Sequence, residues 1–291
     1  MFRVVQVGGL LLTITLAGCS DGTSTAAEGG KSASGARQDS PVTLSGALQT
    51  RASDASRDQI WPRDYKAEEF PGGAFAITDF GSPPPGDAAQ VVRTLEPLAK
   101  SGSSKASYEI FLKINECLDY VRSMQPSDAQ RPDLAEWKKE SATRCQGLTP
   151  DDYASASEWL SLAASQGSLS AQLTYAGNVE AVIGDASDLL RDPDAVKAYK
   201  ERSHEYLKSA MRYGSIDALI SLGNSYGYGI MMERDFSLSY AYFLAAAKAD
   251  PKLNNSPEIR YLKEQLSSTQ ISEATRKGNA IYDECCNRPA H

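Results

Sequence analysis

The sequence predicts an all-α protein, a short α-solenoid of helix-turn-helix repeats carried behind a disordered tether. Three observations predict it. The phrase Gly-Ser-x-x-Ala occurs three times, as Gly102-Ser103-Ser104-Lys105-Ala106, Gly167-Ser168-Leu169-Ser170-Ala171 and Gly214-Ser215-Ile216-Asp217-Ala218. Apolar side chains precede each glycine at helical spacing: Leu95, Leu160 and Leu207 stand seven residues before it, and Leu98, Ala163 and Ala210 four before. The third observation is a change in composition, because no aromatic residue lies between Phe2 and Trp61. A short phrase that returns in the same helical context is the mark of a repeat architecture.

Residues 1–18 carry one positive charge, Arg3, followed by an apolar run at residues 4–16. That run falls short of the roughly 20 residues a membrane-spanning helix needs, and its place at the N-terminus suits an export signal. It ends Leu16-Ala17-Gly18-Cys19, which resembles the lipobox of bacterial lipoproteins. The resemblance implies cleavage before Cys19 and a diacylglycerol on its thiol. Ser20 follows where an Asp often marks inner-membrane retention, which implies a lipid-anchored protein of the cell envelope at the outer membrane, facing the periplasm. An ordinary secretory signal with an incidental cysteine is the competing reading.

Residues 19–60 hold the lipidation candidate Cys19 and then a stretch rich in Ser, Ala, Gly, Thr and Asp. Such a composition buries too little apolar surface to offset the entropy of ordering. As a coil, it spans roughly 35 Å on average and at full stretch roughly 140 Å. Residues 61–86 contain Pro62, Pro71-Gly72-Gly73 and Pro83-Pro84-Pro85-Gly86, which forbid a regular helix. An extended strap is expected there, packing Trp61, Tyr65, Phe70, Phe75 and Phe80 on the domain that follows.

The helical repeat domain is expected over residues 87–286, with 287–291 as a tail. Positions −8, −7, −4 and −3 before each glycine make one apolar stripe. The glycine closes the helix in a left-handed conformation, the serine caps the next, and the alanine lets helices approach closely. Tyr242, Phe243 and Ala246 ahead of Asp250 form a fainter fourth copy. Insertions lie around residues 185–194 and 123–149, and Thr149-Pro150, Asp192-Pro193 and Ser256-Pro257 read as helix starts. A capping helix pair is expected over residues 254–286, broken near 267–272. The copy from Ala218 to Asp250 carries Leu222-Gly223, Tyr226, Gly229, Asp235 and Ala246-Ala247, and resembles the Sel1-like repeat family, relatives of tetratricopeptide repeats. It departs from that pattern at Met231, Met232 and Ser239. The resemblance covers roughly residues 88–250. It implies stacked helix pairs and a role as a protein- or peptide-binding adaptor. A non-repeating helical bundle is the alternative fold.

Beyond Cys19, four cysteines remain, and an oxidising envelope permits disulfides. Cys117 falls near the end of one helix and Cys145 shortly before the next, so a bridge there would staple the first insertion; Cys285 and Cys286 are then free or joined to each other, with a swapped pairing open. Paired Cys-x-x-Cys or His-x-x-x-His spacing is lacking, so no metal and no cofactor is expected. The net charge is -7, and -8 once residues 1–18 are removed, which argues against nucleic acid and leaves a lipid anchor as the only membrane attachment. His204 sits in a charged stretch and reads as a surface side chain, and His291 is the last residue. No nucleophile motif surrounds either, so no enzyme is expected and no catalytic residue is named. Partner contacts are expected on the first helices of the repeats, at Asn224 and Tyr228, while Tyr226 reads as core. The expected function is a membrane-anchored scaffold for an unknown envelope protein or peptide. Two alternatives stand beside it: a hydrolase or binder of cell-wall or β-lactam compounds, and an inhibitor or immunity protein against an envelope toxin.

Overall fold

Each Gly-Ser-x-x-Ala phrase closes one helix and opens the next, in the same way three times. The glycines take positive φ, +107° at Gly102 and +100° at Gly167 and Gly214. Each following serine donates its N–H back to the helix just ended, Ser103 to Leu98, Ser168 to Ala163 and Ser215 to Ala210, at 3.0–3.2 Å. The serine side chain then accepts from the alanine N–H three residues on, at 3.3 Å for Ala106, 3.0 Å for Ala171 and 3.2 Å for Ala218. A left-handed glycine with these back-bonds consumes the orphan carbonyls, and the serine cap consumes an orphan donor. All three alanines are buried.

The structure, a computed structural model, describes residues 65–124 and 134–286. The expected export signal, Cys19, the linker, Trp61 and the tail lie outside the described residues. The first hairpin pairs α1 (Ala88–Lys100) with α2 (Ser104–Arg122). After it come α3 (Ala135–Cys145), the short α4 (Pro150–Ala154), α5 (Ala156–Ser165) and α6 (Leu169–Gly177). Two short helices, α7 (Val179–Val182) and α8 (Ala186–Arg191), precede the long α9 (Pro193–Arg212). Then follow α10 (Ile216–Tyr228), α11 (Phe236–Ala249), α12 (Pro257–Glu264) and α13 (Ser268–Cys286). Thr149, Asp192 and Ser256 each cap a helix whose first residue is proline.

The long helices pack in chain order: α1 on α2, α2 on α5, α5 on α6, α6 on α9, α9 on α10, α10 on α11 and α11 on α13. Packing carried mainly by neighbours makes this a short α-solenoid. Its core is likewise a series of linked clusters, one around Ile110 and Ile114, the next around Leu160, Tyr175 and Tyr199, and the largest around Leu219, Leu222, Phe243 and Ala246. Trp159 packs against both of the first two.

The copy at Ala218–Asp250 is built as its motif requires. A Cβ on Gly223 would stand 2.8 Å from the Phe243 ring, so only glycine admits the α10–α11 approach. Ser239 departs from the alanine of the Sel1-like pattern, and its buried hydroxyl donates to the Gly223 carbonyl at 2.7 Å. Gly229 ends α10 at φ +70°, and Asp235 caps α11 by accepting from Leu238 N–H at 2.8 Å. Tyr226 stacks on Tyr242 with centroids 5.8 Å apart and packs against the largest cluster. Met231, a second departure, packs against the middle one.

Three expectations need correction. The strap is a β-hairpin: β1 (Lys66–Glu69) pairs antiparallel with β2 (Phe75–Asp79) across a 3-10 turn at Pro71–Gly73. Phe75 is buried, and Tyr65 and Phe70 pack against the same cluster, but Phe80 is exposed. Second, Leu98 is 53% exposed, because α1 begins the stack among the described helices and its neighbours cover the side that carries Ala88, Val92 and Ala99. Third, His204 is half-buried, its ring edge-on to Tyr226 at 6.2 Å, and its Nδ1 is sealed from solvent without a partner among the described residues. Burial lowers its pKa, Lys208 adds to the effect and Glu205 opposes it, so the ring is neutral.

The hairpin is tied to the start of α10. Phe75 donates its N–H to the Gly214 carbonyl at 2.9 Å, and Ile77 donates to the Asp217 carboxylate at 2.8 Å. Burial raises the Asp217 pKa, offset in part by that donation. A raised carboxyl binds its proton more tightly folded than unfolded, so its protonation stabilises the fold at low pH, and that contribution is lost as pH rises through the raised value. Asp217→Asn is expected to keep an acceptor for Ile77 and to flatten the acid part of the stability profile. Asp217→Ala leaves the Ile77 donor unmet and is expected to cost about 1–3 kcal/mol. Urea midpoints of both variants across the acid range check this.

Candidate functional site

The insertion after α6 folds back over α5, α6 and α9, and its own side chains cap its turns. Asn178 starts α7 by accepting from Ala181 N–H at 3.0 Å. Gly184 turns the chain at φ +116°. Asp185 and Asp188 form a reciprocal capping box at the start of α8, and Asp192 caps α9 through Ala195 N–H at 2.9 Å. Arg191 is paired with Asp188 at 2.8 Å, and Arg122 at the end of α2 reaches Glu180 on α7 at 3.5 Å.

Between the insertion and the stack lies a cavity of about 470 Å³. Ser161 of α5, Tyr175 of α6 and Tyr199 and Arg202 of α9 face it from the stack; Val182, Ile183, Asp188 and Arg191 face it from the insertion. The volume lies within the range of small-ligand and side-chain pockets. Tyr175 and Tyr199 are buried and stacked, with centroids 5.5 Å apart, and Tyr206 meets Tyr175 edge-on at 5.2 Å. Burial raises the Tyr175 phenol and pushes Tyr199 and Tyr206 up to about 12, while the Arg202 guanidinium opposes the shift at Tyr175 and Tyr206. These phenols therefore stay protonated and are donors, not nucleophiles. Tyr199 spends its hydroxyl on the Ala176 carbonyl at 3.0 Å.

The charges divide unevenly. Both carboxylates of the cavity are engaged at helix starts, and Asp188 also holds Arg191. Arg202 has no carboxylate within 4.0 Å among the described residues. The cavity thus presents apolar walls, two phenol rings and the Arg202 guanidinium, which is hydrogen-bonded to Tyr175 and is in no ion pair among the described residues.

The sequence-named residues fall elsewhere. Asn224 is half-buried and Tyr228 is 63% exposed, one turn apart near the end of α10. The Tyr228 carbonyl accepts from Arg234 at 3.2 Å, and Arg234 lies over the Phe236 ring. Cys117 and Cys145 form a disulfide with Cα atoms 5.6 Å apart, both buried. Cys285 and Cys286 are joined to each other and fully buried. Beside the first bridge, the Lys113 side chain is buried against Glu116 at 2.9 Å, and Arg144 meets the same carboxylate at 3.1 Å. Among the described residues no group of three His, Cys, Asp or Glu is placed to hold a metal, and no helix is long and apolar enough to cross a membrane. Arg202, Tyr175 and Tyr199 were missed from sequence; the signal pointing to them was the insertion itself, the place where the repeat lengthens.

No family model and no curated protein matches this chain. Among solved structures, it is similar to a protective antigen present in uropathogenic Escherichia coli strains that displays an SLR fold, with 19% sequence identity and a TM-score of 0.38. The match covers 67% of this chain and 41% of that one, so this chain spans less than half of the antigen's length.

Proposed function

We propose that this chain is a lipid-anchored scaffold of the bacterial envelope, and that its Sel1-like helical stack holds a protein or peptide partner without catalysis. The observation that carries the reading is the unbroken order of helix packing from α1 to α13, which builds an elongated run of helix faces from one set of turns. Such stacks present extended surfaces to a partner. Asn224 and Tyr228 are the contact positions assigned to α10, and the exposed Ile230 continues that surface beyond the helix end. The anchoring half of the reading rests on Leu16-Ala17-Gly18-Cys19, with Ser20 directing the protein to the outer membrane.

The two halves are tested separately. Cys19→Ala in the full chain is expected to abolish incorporation of labelled palmitate and to move the protein from the membrane pellet to the soluble fraction; palmitate labelling that survives the substitution sinks the anchor. For the scaffold, a photoreactive benzophenone side chain is placed at Asn224 or Tyr228 in the full chain within the envelope. One discrete cross-linked product is expected from these positions and none from exposed Arg276 on α13. Equal products from all three positions, or none, count against a partner on α10.

A further inference from the structure

We propose that the cavity behind the insertion receives the C-terminal end of an extended peptide, its carboxylate on Arg202 and its last aliphatic side chain against Val182, Ile183, Ala195 and Ala198. The inference rests on the scaffold reading and adds a ligand chemistry and a second site to it. Arg202 supplies a planar fork of donors suited to a carboxylate, and no carboxylate of the described residues occupies it. The Tyr175 phenol beside it stays protonated and offers a further donor. The apolar walls are aliphatic and stand in the same cavity as the guanidinium. A chain end is the group that carries a carboxylate and an aliphatic side chain on one carbon.

The rim selects charge as well. Asp188 and Asp192 face the same cavity. A phosphate dianion brings more negative charge towards that pair than a single carboxylate does, so the lining disfavours it more. Asp188 accepts from Asp185 N–H and holds Arg191, and Asp192 accepts from Ala195 N–H, so both carboxylates are already engaged away from Arg202. The cavity of about 470 Å³ is large enough for an end residue and its neighbour.

The test uses the full chain and a fluorescein-labelled pentapeptide, Gly-Ser-Gly-Ala-Leu, as free acid and as C-terminal amide, read by fluorescence anisotropy. A hydrogen bond to a charged group is worth about 1.5–3 kcal/mol, so the acid is expected to bind roughly ten to a hundred times more tightly than the amide. Arg202→Gln, at an exposed helix position, is expected to reduce the acid to the level of the amide. Ala198→Trp fills the mouth from an exposed position and is expected to weaken both peptides, and Arg276→Gln to change neither. Equal binding of acid and amide, no binding, a D-leucine end that binds more tightly, or an acid preference that survives Arg202→Gln would each overturn the proposal. Cross-links at Asn224 and Tyr228 that persist in the Arg202→Gln chain show that the scaffold reading stands even where the cavity reading falls.

Discussion

Removing the Cys117–Cys145 disulfide is expected to destabilise the N-terminal end of the stack by about 3.5 kcal/mol. The bridge spans 28 residues, and chain-entropy loss for a loop of that length gives this figure at room temperature. The bridge is buried with Ala88 against Tyr120, Leu148 and Tyr153, so it also fixes α3 and the α4 turn on α1 and α2. Because each helix packs mainly on its neighbours, the loss is local first: α1 to α3 should fray before the rest unfolds. Cys117→Ala/Cys145→Ala is expected to lower the urea midpoint of this end and to strip hydrogen-exchange protection from α1 and α2 while α10 and α11 keep theirs. Reductant should bring the parent chain to the same state and leave the double variant unchanged. The Cys285–Cys286 bond joins adjacent residues and closes almost no loop. Cys285→Ala/Cys286→Ala should therefore move the midpoint far less through the unfolded chain. A reductant effect that persists in Cys117→Ala/Cys145→Ala, or that vanishes in the other pair, would reverse this assignment.

What the sequence made legible was local chemistry. The turn at Gly167-Ser168 needs a positive φ and an N-cap within three residues, and both demands are written in adjacent letters. The helix starts at Thr149, Asp192 and Ser256 are equally local, each a capping side chain followed by proline. Apolar spacing located the helices but not their neighbours. Leu98 fits the stripe as well as Ala163 does, yet only an internal helix of a stack has partners on two sides, and α1 is terminal. His204 reads as surface because charges flank it, whereas the helix turns its ring under Tyr226.

The hairpin and the cavity were not legible for a different reason. Proline and glycine at residues 71–73 exclude an α-helix but do not say that the chain on either side pairs with itself. Ala67, Phe75 and Ile77 alternate weakly, and their burial is decided by residues some 140 positions away, as the Ile77–Asp217 hydrogen bond shows. In the cavity, Arg202, Tyr175 and Ile183 come from α9, α6 and the insertion, with no shared motif. A lengthened repeat marks where such a site can form, and three-dimensional packing alone selects its residues.

Phe75→Ala is expected to cost about 3–5 kcal/mol at the other end of the molecule. The ring is 8% exposed, stacked on Tyr65 at 5.6 Å, and belongs to the largest cluster together with Leu219, Leu222 and Ile281. Its backbone is the point where β2 joins the Gly214 turn. Truncation leaves a cavity that the flanking backbone is pinned too firmly to fill, while Tyr65, Phe70, Ala74, Ile77 and the Asp217 acceptor still tie the hairpin to the helices. The expected result is a lower midpoint for the C-terminal unit and faster exchange of the Phe75 and Ile77 amides, with α1 and α2 keeping their protection. Phe75 and the Cys117–Cys145 bridge share no cluster and no partner. Their effects in the triple variant should therefore add to within about 0.5 kcal/mol. A coupling well above that would mean that the two ends communicate through the stack, and packing carried mainly by neighbours would then be the wrong description of this fold.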